Sequence, residues 1–154
     1  MFEKILVPLD GSEHSLRALE IAIQIAKRFD GKITLIHVYS VGVRPIIMSE
    51  PTTLTPPTVP IMAPTGFSVV EAARKAGASI LADGENKVKA EGVHVETLLK
   101  EGHTVQEILK TAKDGKSDLI VMGARGISKI REVLLGSVSD GVIRNAPCPV
   151  LVTK

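Results

Sequence analysis

Three glycines and a serine carry the clearest chemical potential in this sequence. Gly123 and Gly126 are separated by two residues, and nine more separate Gly126 from Gly136-Ser137. Glycine has no side chain to block an approaching oxyanion, and a helix start presents unpaired N–H groups. An apolar run, Asp118-Leu-Ile-Val-Met122, leads directly into the first glycine. A strand, a glycine turn and a Gly-Ser helix start together predict a phosphate cradle and hence a nucleotide site. Each part also has a plainer reading. Gly123 and Gly126 suit a simple turn, and Ser137 and Ser139 suit helix capping, which uses the same N–H groups. Arg125, Lys129 and Arg131 either neutralise phosphate or form a solvated charged face.

The elements that must position this run alternate along the chain. Lys4-Ile-Leu-Val-Pro-Leu9 reads as a buried strand that ends at Asp10-Gly11-Ser12, with Ser12 as N-cap of the next segment. Leu16, Leu19, Ile23 and Ala26 recur at helical spacing between Glu13 and Phe29, and Gly31 is placed to end that helix. Ile33 to Val38 is a second strand. From 40 to 66 the prolines Pro45, Pro51, Pro56, Pro57, Pro60 and Pro64 predict a long loop or irregular excursion. A helix follows from about Ser68 to Ala90, weakened at Gly77 and Gly84 by about 1 kcal/mol each. Val93 to Leu99 is a third strand. Thr104-Val-Gln-Glu107 has capping-box spacing and opens a third helix through Ala112. Asp118 to Met122 is the fourth strand. A helical turn fits Lys129 to Val133, a short helix fits Ser137 to Arg144, and Pro149 to Thr153 is a final strand.

Alternating strands and helices predict an α/β fold, a single doubly wound domain with a parallel sheet covered by helices on both faces. In such sheets ligands bind outside the carboxyl ends of the strands, where strand order reverses. Pro8-Leu9-Asp10, His37-Val38-Tyr39 and Met122 to Gly126 are the candidates for that edge. The third coincides with the glycine run.

Other phosphate motifs do not fit. Gly115-Lys116-Ser117 imitates the end of a P-loop, but Lys110 stands where the first glycine belongs. The dinucleotide fingerprint is missing after the first strand, where the chain reads Asp10-Gly11-Ser12-Glu13. Composition narrows the classes further. The chain has 154 residues and a net charge of +2, with three Phe, one Tyr and no Trp. That charge is small for a nucleic-acid surface, and few rings are available to stack bases. The N-terminal run is too short for a signal peptide, and no segment approaches a membrane span. A single cysteine, Cys148, forms no internal disulfide and suits packing. The expectation is a soluble cytoplasmic protein. His37, inside an apolar strand, reads as a hydrogen-bonded core or edge histidine. His14, His94 and His103 show no metal-site spacing.

With these residues in view, the chain resembles the ATP-binding branch of the universal stress protein family. The motif of that branch matches Gly123, Gly126, Gly136 and Ser137. Lys4-Ile-Leu-Val-Pro-Leu-Asp-Gly-Ser12, Leu35-Ile-His-Val38 and Ala146-Pro-Cys-Pro-Val-Leu-Val152 extend the resemblance over residues 1–154. It implies a five-stranded parallel sheet with an ATP site at its carboxyl edge. Pro8, Leu9, Asp10 and Val38 would border adenine and ribose. Met122, Gly123 and Gly126 would lie under ribose and phosphates. Gly136, Ser137, Val138 and Ser139 would hold phosphates through N–H and hydroxyl groups. The resemblance also implies Mg or Mn on the phosphates and a homodimer through the last strand. An exposed Val-Leu-Val edge would need covering in any case. Gly141 departs from the family pattern, which has a bulkier residue in that helix, and predicts a weaker helix. The Pro-rich excursion is peculiar to this chain.

Three functions remain in view: a nucleotide-binding stress-response regulator, a slow metal-dependent ATPase and a flavodoxin-like FMN domain. Hydrolysis needs a positioned water and a group to orient it. Asp10 is the acid the motifs place nearby, and no P-loop-type carboxylate or arginine finger is identifiable. FMN would want a hydroxyl-rich loop after the first strand and aromatic flanks. Binding of ATP with a regulatory outcome fits best.

Overall fold

The computed structural model describes residues 1–40, 66–127 and 135–154. In chain order these form β1 (Lys4–Pro8), α1 (Glu13–Phe29), β2 (Lys32–Tyr39), α2 (Gly66–Ala90) and β3 (Val95–Glu101). They continue with α3 (Thr104–Asp114), β4 (Leu119–Gly123), α4 (Ser137–Asn145) and β5 (Val150–Thr153). Most of the Pro-rich excursion and the turn expected around Lys129 to Val133 lie outside the described residues.

Side-chain alternation along the strands sets the layers. Ile5 and Val7 of β1, Ile33 and Leu35 of β2, and Leu119 and Val121 of β4 join one apolar cluster. Leu6, Ile36, Ile120 and Met122 point the other way into a second cluster. Strands buried on both faces read as continuous apolar runs, which is how these segments look in sequence. Helices α1 and α2 cover the first face through Ala18, Leu19, Ile23, Leu81 and Val88. Helices α3 and α4 cover the second through Ile108, Ala112 and Val142. Each fully buried aliphatic side chain contributes roughly 1.5–3 kcal/mol.

All four strand pairings are parallel, and the order is β3-β2-β1-β4-β5. The chain winds outward from β1 to β3, returns across the sheet, and winds outward again through β4 to β5. The reversal lies between β1 and β4, where their carboxyl ends leave a crevice. No helix among the described residues is long and apolar enough to cross a membrane.

Local signals were mostly correct, with informative exceptions. The Ser12 hydroxyl accepts from Ser15 N at 3.2 Å and caps α1 as expected. At the other end the left-handed residue is Asp30, with φ 52°, and not Gly31. Gly31 is required for space, because a Cβ there would lie 2.5 Å from the Phe2 carbonyl. The capping box at Thr104 does not form. His103 is the N-cap, without a side-chain bond, and Thr104 is already helical. That shift of one residue moves Glu107 a position too far along the helix to close the box, and its side chain lies beside Gly102 instead. Strand β3 starts at Val95 rather than Val93, because Val93 N still donates to Val88 O at the end of α2.

The two glycines inside α2 are close-approach positions. A Cβ at Gly77 would collide with the His37 ring and lie 2.8 Å from Leu99 Cδ1. One at Gly84 would lie 2.6 Å from Leu9 Cδ1. Gly141 has a similar cause. A Cβ there would stand 3.0 Å from Val105 Cγ2, so its absence lets α4 pack closely on α3.

Candidate functional site

The turn after β1 is built by its own polar groups. Gly11 has φ 81°, a conformation that favours glycine. The Asp10 carboxylate accepts from Ser12 N through Oδ1 at 2.9 Å, an Asx turn that leads into the α1 cap. Leu9 N donates to Ile36 O at 2.8 Å. His37 Nδ1 lies 2.7 Å from Leu9 O, and a carbonyl only accepts, so Nδ1 carries the proton. The hydrogen-bonded role expected for His37 is therefore met, and β2 thereby holds the Pro8–Asp10 turn in place.

The glycine run meets that turn across the crevice. A Cβ on Gly126 would lie 2.5 Å from Asp10 Oδ2, so the backbone at Gly126 passes directly against the carboxylate. Gly123 approaches a different element. A Cβ there would lie 2.7 Å from His14 Cβ and 3.0 Å from Ser15 N, so its bareness seats the start of α1 on β4. Gly136 N donates to Ala124 O at 2.7 Å, which brings the far end of the run back to β4.

Helix α4 therefore starts at the mouth of the crevice, and Gly136 is its N-cap with no side-chain cap. Asp140 N makes the first intrahelical bond, to Gly136 O at 3.0 Å. The N–H groups of Ser137, Val138 and Ser139 have no acceptor among the described residues. In α1 the Ser12 side chain occupies the equivalent position. A glycine cap leaves those donors to a ligand, and the helix dipole favours an anion there.

Together these elements enclose a cleft of about 900 Å³. Every candidate lines it: Pro8, Leu9, Asp10 and Val38 on one side, Met122, Gly123, Arg125 and Gly126 below, and Gly136 to Ser139 on the other. Its walls are mainly apolar, with polar groups from Asp10, His37, Arg125, Ser137 and the N–H groups at the start of α4. Lys129 and Arg131 lie outside the described residues. Helix α3 adds Thr104 and Ile108, and α4 adds Asp140, none of them anticipated. No local motif marks Thr104 or Ile108, because they reach the cleft through the crossover of β3-α3-β4. Asp140 is turned toward Arg144, whose Nε donates to both carboxylate oxygens at 3.1 and 2.9 Å. This pairing raises the Arg144 pKa, chiefly through the hydrogen bond.

Among the described residues, no group of three or more His, Cys, Asp or Glu could hold a metal ion. Cys148 packs on the second core cluster, away from the cleft lining. Burial, then the charge of Asp118, pushes its thiol up from the ordinary value. The imidazole of His14 leaves Nδ1 buried without a partner among the described residues.

Sequence and fold comparisons find relatives of this chain among known proteins. Universal stress protein YxiE of Bacillus subtilis is 35% identical over 156 residues, covering 100% of both chains. Universal stress protein MJ0531 of Methanocaldococcus jannaschii is 36% identical over 155 residues, covering 100% of this chain and 83% of that one. The structure of universal stress protein UspA from Lactobacillus plantarum superposes with a TM-score of 0.80 at 26% identity, over 99% and 98% of the two chains. A universal stress protein in complex with cAMP superposes at 0.65 with 27% identity, over 99% and 96%. An Arabidopsis thaliana member with AMP bound superposes at 0.66 with 25% identity, over 98% and 90%. The family model for the universal stress proteins matches residues 1–154, and the chain belongs to that family.

Proposed function

We propose that this protein binds ATP in the cleft between β1 and β4 and that occupancy serves a regulatory role in a cytoplasmic stress response. The observation that carries the reading is the start of α4. Three N–H groups without acceptors among the described residues open from a glycine cap into the cleft. They suit phosphate oxygens, and the bare backbone at Gly126 lets a phosphate or ribose come close. The apolar wall of Leu9, Ile36, Val38 and Met122 suits a base. The relatives with cAMP and AMP support an adenine nucleotide.

A divalent ion, Mg or Mn, would arrive on the phosphates, since the cleft offers Asp10 and few other ligands. When bound, such an ion screens phosphate charge. Asp10 has Oδ1 engaged by Ser12 and Oδ2 against Gly126, and Asp140 is paired with Arg144. Both acids already have partners within the chain, which favours holding a nucleotide over hydrolysing it. The outer edge of β5 is the surface we assign to a homodimer, because β5 ends the sheet with Val150, Leu151 and Val152 only half-buried.

The test is ligand identification. Denatured, purified protein should release ATP or ADP in near-stoichiometric amount, read by mass spectrometry. Gly126→Val should lose the nucleotide while keeping its circular dichroism spectrum, since its branched Cβ must displace the Asp10 carboxylate at the cleft. Release of FMN, or full nucleotide retention in Gly126→Val, would overturn the reading.

A further inference from the structure

Phosphate binding through hydroxyls was the role expected for Ser139, but its surroundings assign it different work. Ser139 is only 2% exposed. Its Oγ lies 2.8 Å from Ala124 O and 2.9 Å from Gly136 O. Both partners are carbonyls, which only accept, so the single hydroxyl proton is committed to them. An ionised phosphate offers only acceptors and gains no hydrogen bond from such a group.

The geometry around Ala124 gives this commitment a purpose. Its carbonyl accepts from Gly136 N at 2.7 Å as well as from Ser139 Oγ, which uses both lone pairs. Its N–H donates to Thr153 O at 2.7 Å and extends the β4–β5 ladder by a step. Ala124 is itself 2% exposed. One buried residue thus ties together the end of β4, the edge strand and the first turn of α4. Gly126 and the free N–H groups of α4 take their separation from this knot.

We infer that Ser139 is a positioning residue of the nucleotide site. Its buried hydroxyl clasps Ala124 to the first turn of α4 and sets the spacing between the glycine turn and the helix donors. It makes no bond to phosphate through its side chain. This rests on the proposed nucleotide reading of the cleft.

The test compares Ser139→Ala and Ser139→Thr with the parent protein by amide hydrogen exchange without nucleotide, and by titration with ATP and with AMP. Removing the hydroxyl takes one of two bonds from a buried carbonyl, so Gly136 N–H in Ser139→Ala should exchange about 10-fold faster. Core amides at Ile120 and Val121 should keep their protection, which separates a local clasp from general destabilisation. ATP and AMP affinity should fall by a similar factor, about 5–10-fold, because the defect lies in the shape of the site. Ser139→Thr retains the donor and should restore both readouts. Unchanged Gly136 exchange in Ser139→Ala overturns the clasp. So does an affinity loss for ATP with none for AMP, which marks a direct contact to the outer phosphates. A parent protein that binds neither nucleotide refutes the site reading instead, and the exchange comparison still decides the clasp.

Discussion

Replacing Gly77 by alanine sets two physical effects against each other with opposite signs. Helix propensity favours alanine over glycine by about 1 kcal/mol inside a helix. The surroundings oppose it. The new Cβ would collide with the His37 ring, lie 3.0 Å from its Nε2 and sit 2.8 Å from Leu99 Cδ1. Ordinary contact begins near 3.4 Å, so both neighbours must retreat. His37 is not free to do so, because its Nδ1–H is held by Leu9 O at 2.7 Å. Overpacking costs about 1–3 kcal/mol, and loss of that hydrogen bond adds about 1 kcal/mol. Gly77→Ala should therefore destabilise the protein by about 1–3 kcal/mol net, lowering Tm by roughly 2–12 °C. Urea unfolding with an unchanged slope measures it. Ser79→Ala, exposed on the same helix, is the control and should stabilise slightly. Because Leu9 precedes Asp10, the variant should also weaken nucleotide binding, whereas Ser79→Ala should not. A Gly77→Ala protein as stabilised as propensity predicts would refute the packing argument.

Two further outcomes follow from the site and the core. Gly136→Asp should add a capping carboxylate over the free N–H groups of α4, since its Cβ meets nothing nearer than 3.4 Å. Stability should rise by about 0.5–1 kcal/mol while ATP affinity falls at least about 10-fold, and unchanged affinity would count against the phosphate site. Cys148 should react with a thiol reagent more slowly than the unfolded chain at mildly alkaline pH, because burial holds its thiol above the ordinary value. The sign follows directly. The unfolded thiol ionises first, so this group's contribution to stability is complete below the ordinary thiol value and is lost as pH rises through the folded value. Equal reaction rates for native and denatured protein would refute it.

The legible parts were those written in local pattern. Ile5, Leu6 and Val7 announce a strand buried on both faces, and Leu19, Ile23 and Ala26 announce a helix face. Alternation of elements placed Pro8 to Asp10 and the start of the glycine run at one edge, the motif and the family resemblance added Gly136 to Ser139, and these residues do line one cleft. What stayed hidden depends on partners distant in sequence. Gly77 looked like a defect in a helix until His37 and Leu99 were seen beside it. Gly141 looked weakening until Val105 filled its space. Ile108 enters the cleft only because β3 and β4 lie apart in the sheet. Ser139 was expected among the site residues, but its hydroxyl direction is set by Ala124, fifteen positions earlier.

The bond from Ala124 N to Thr153 O also bears on the order in which the molecule matures. Pro8 to Asp10 precede β5 along the chain, yet the turn they face is anchored by β5. A growing chain can pair β1, β2 and β3 well before β5 exists. The cleft has its full set of supports only once Thr153 has joined the sheet, so a ligand captured there would report that β5 has docked.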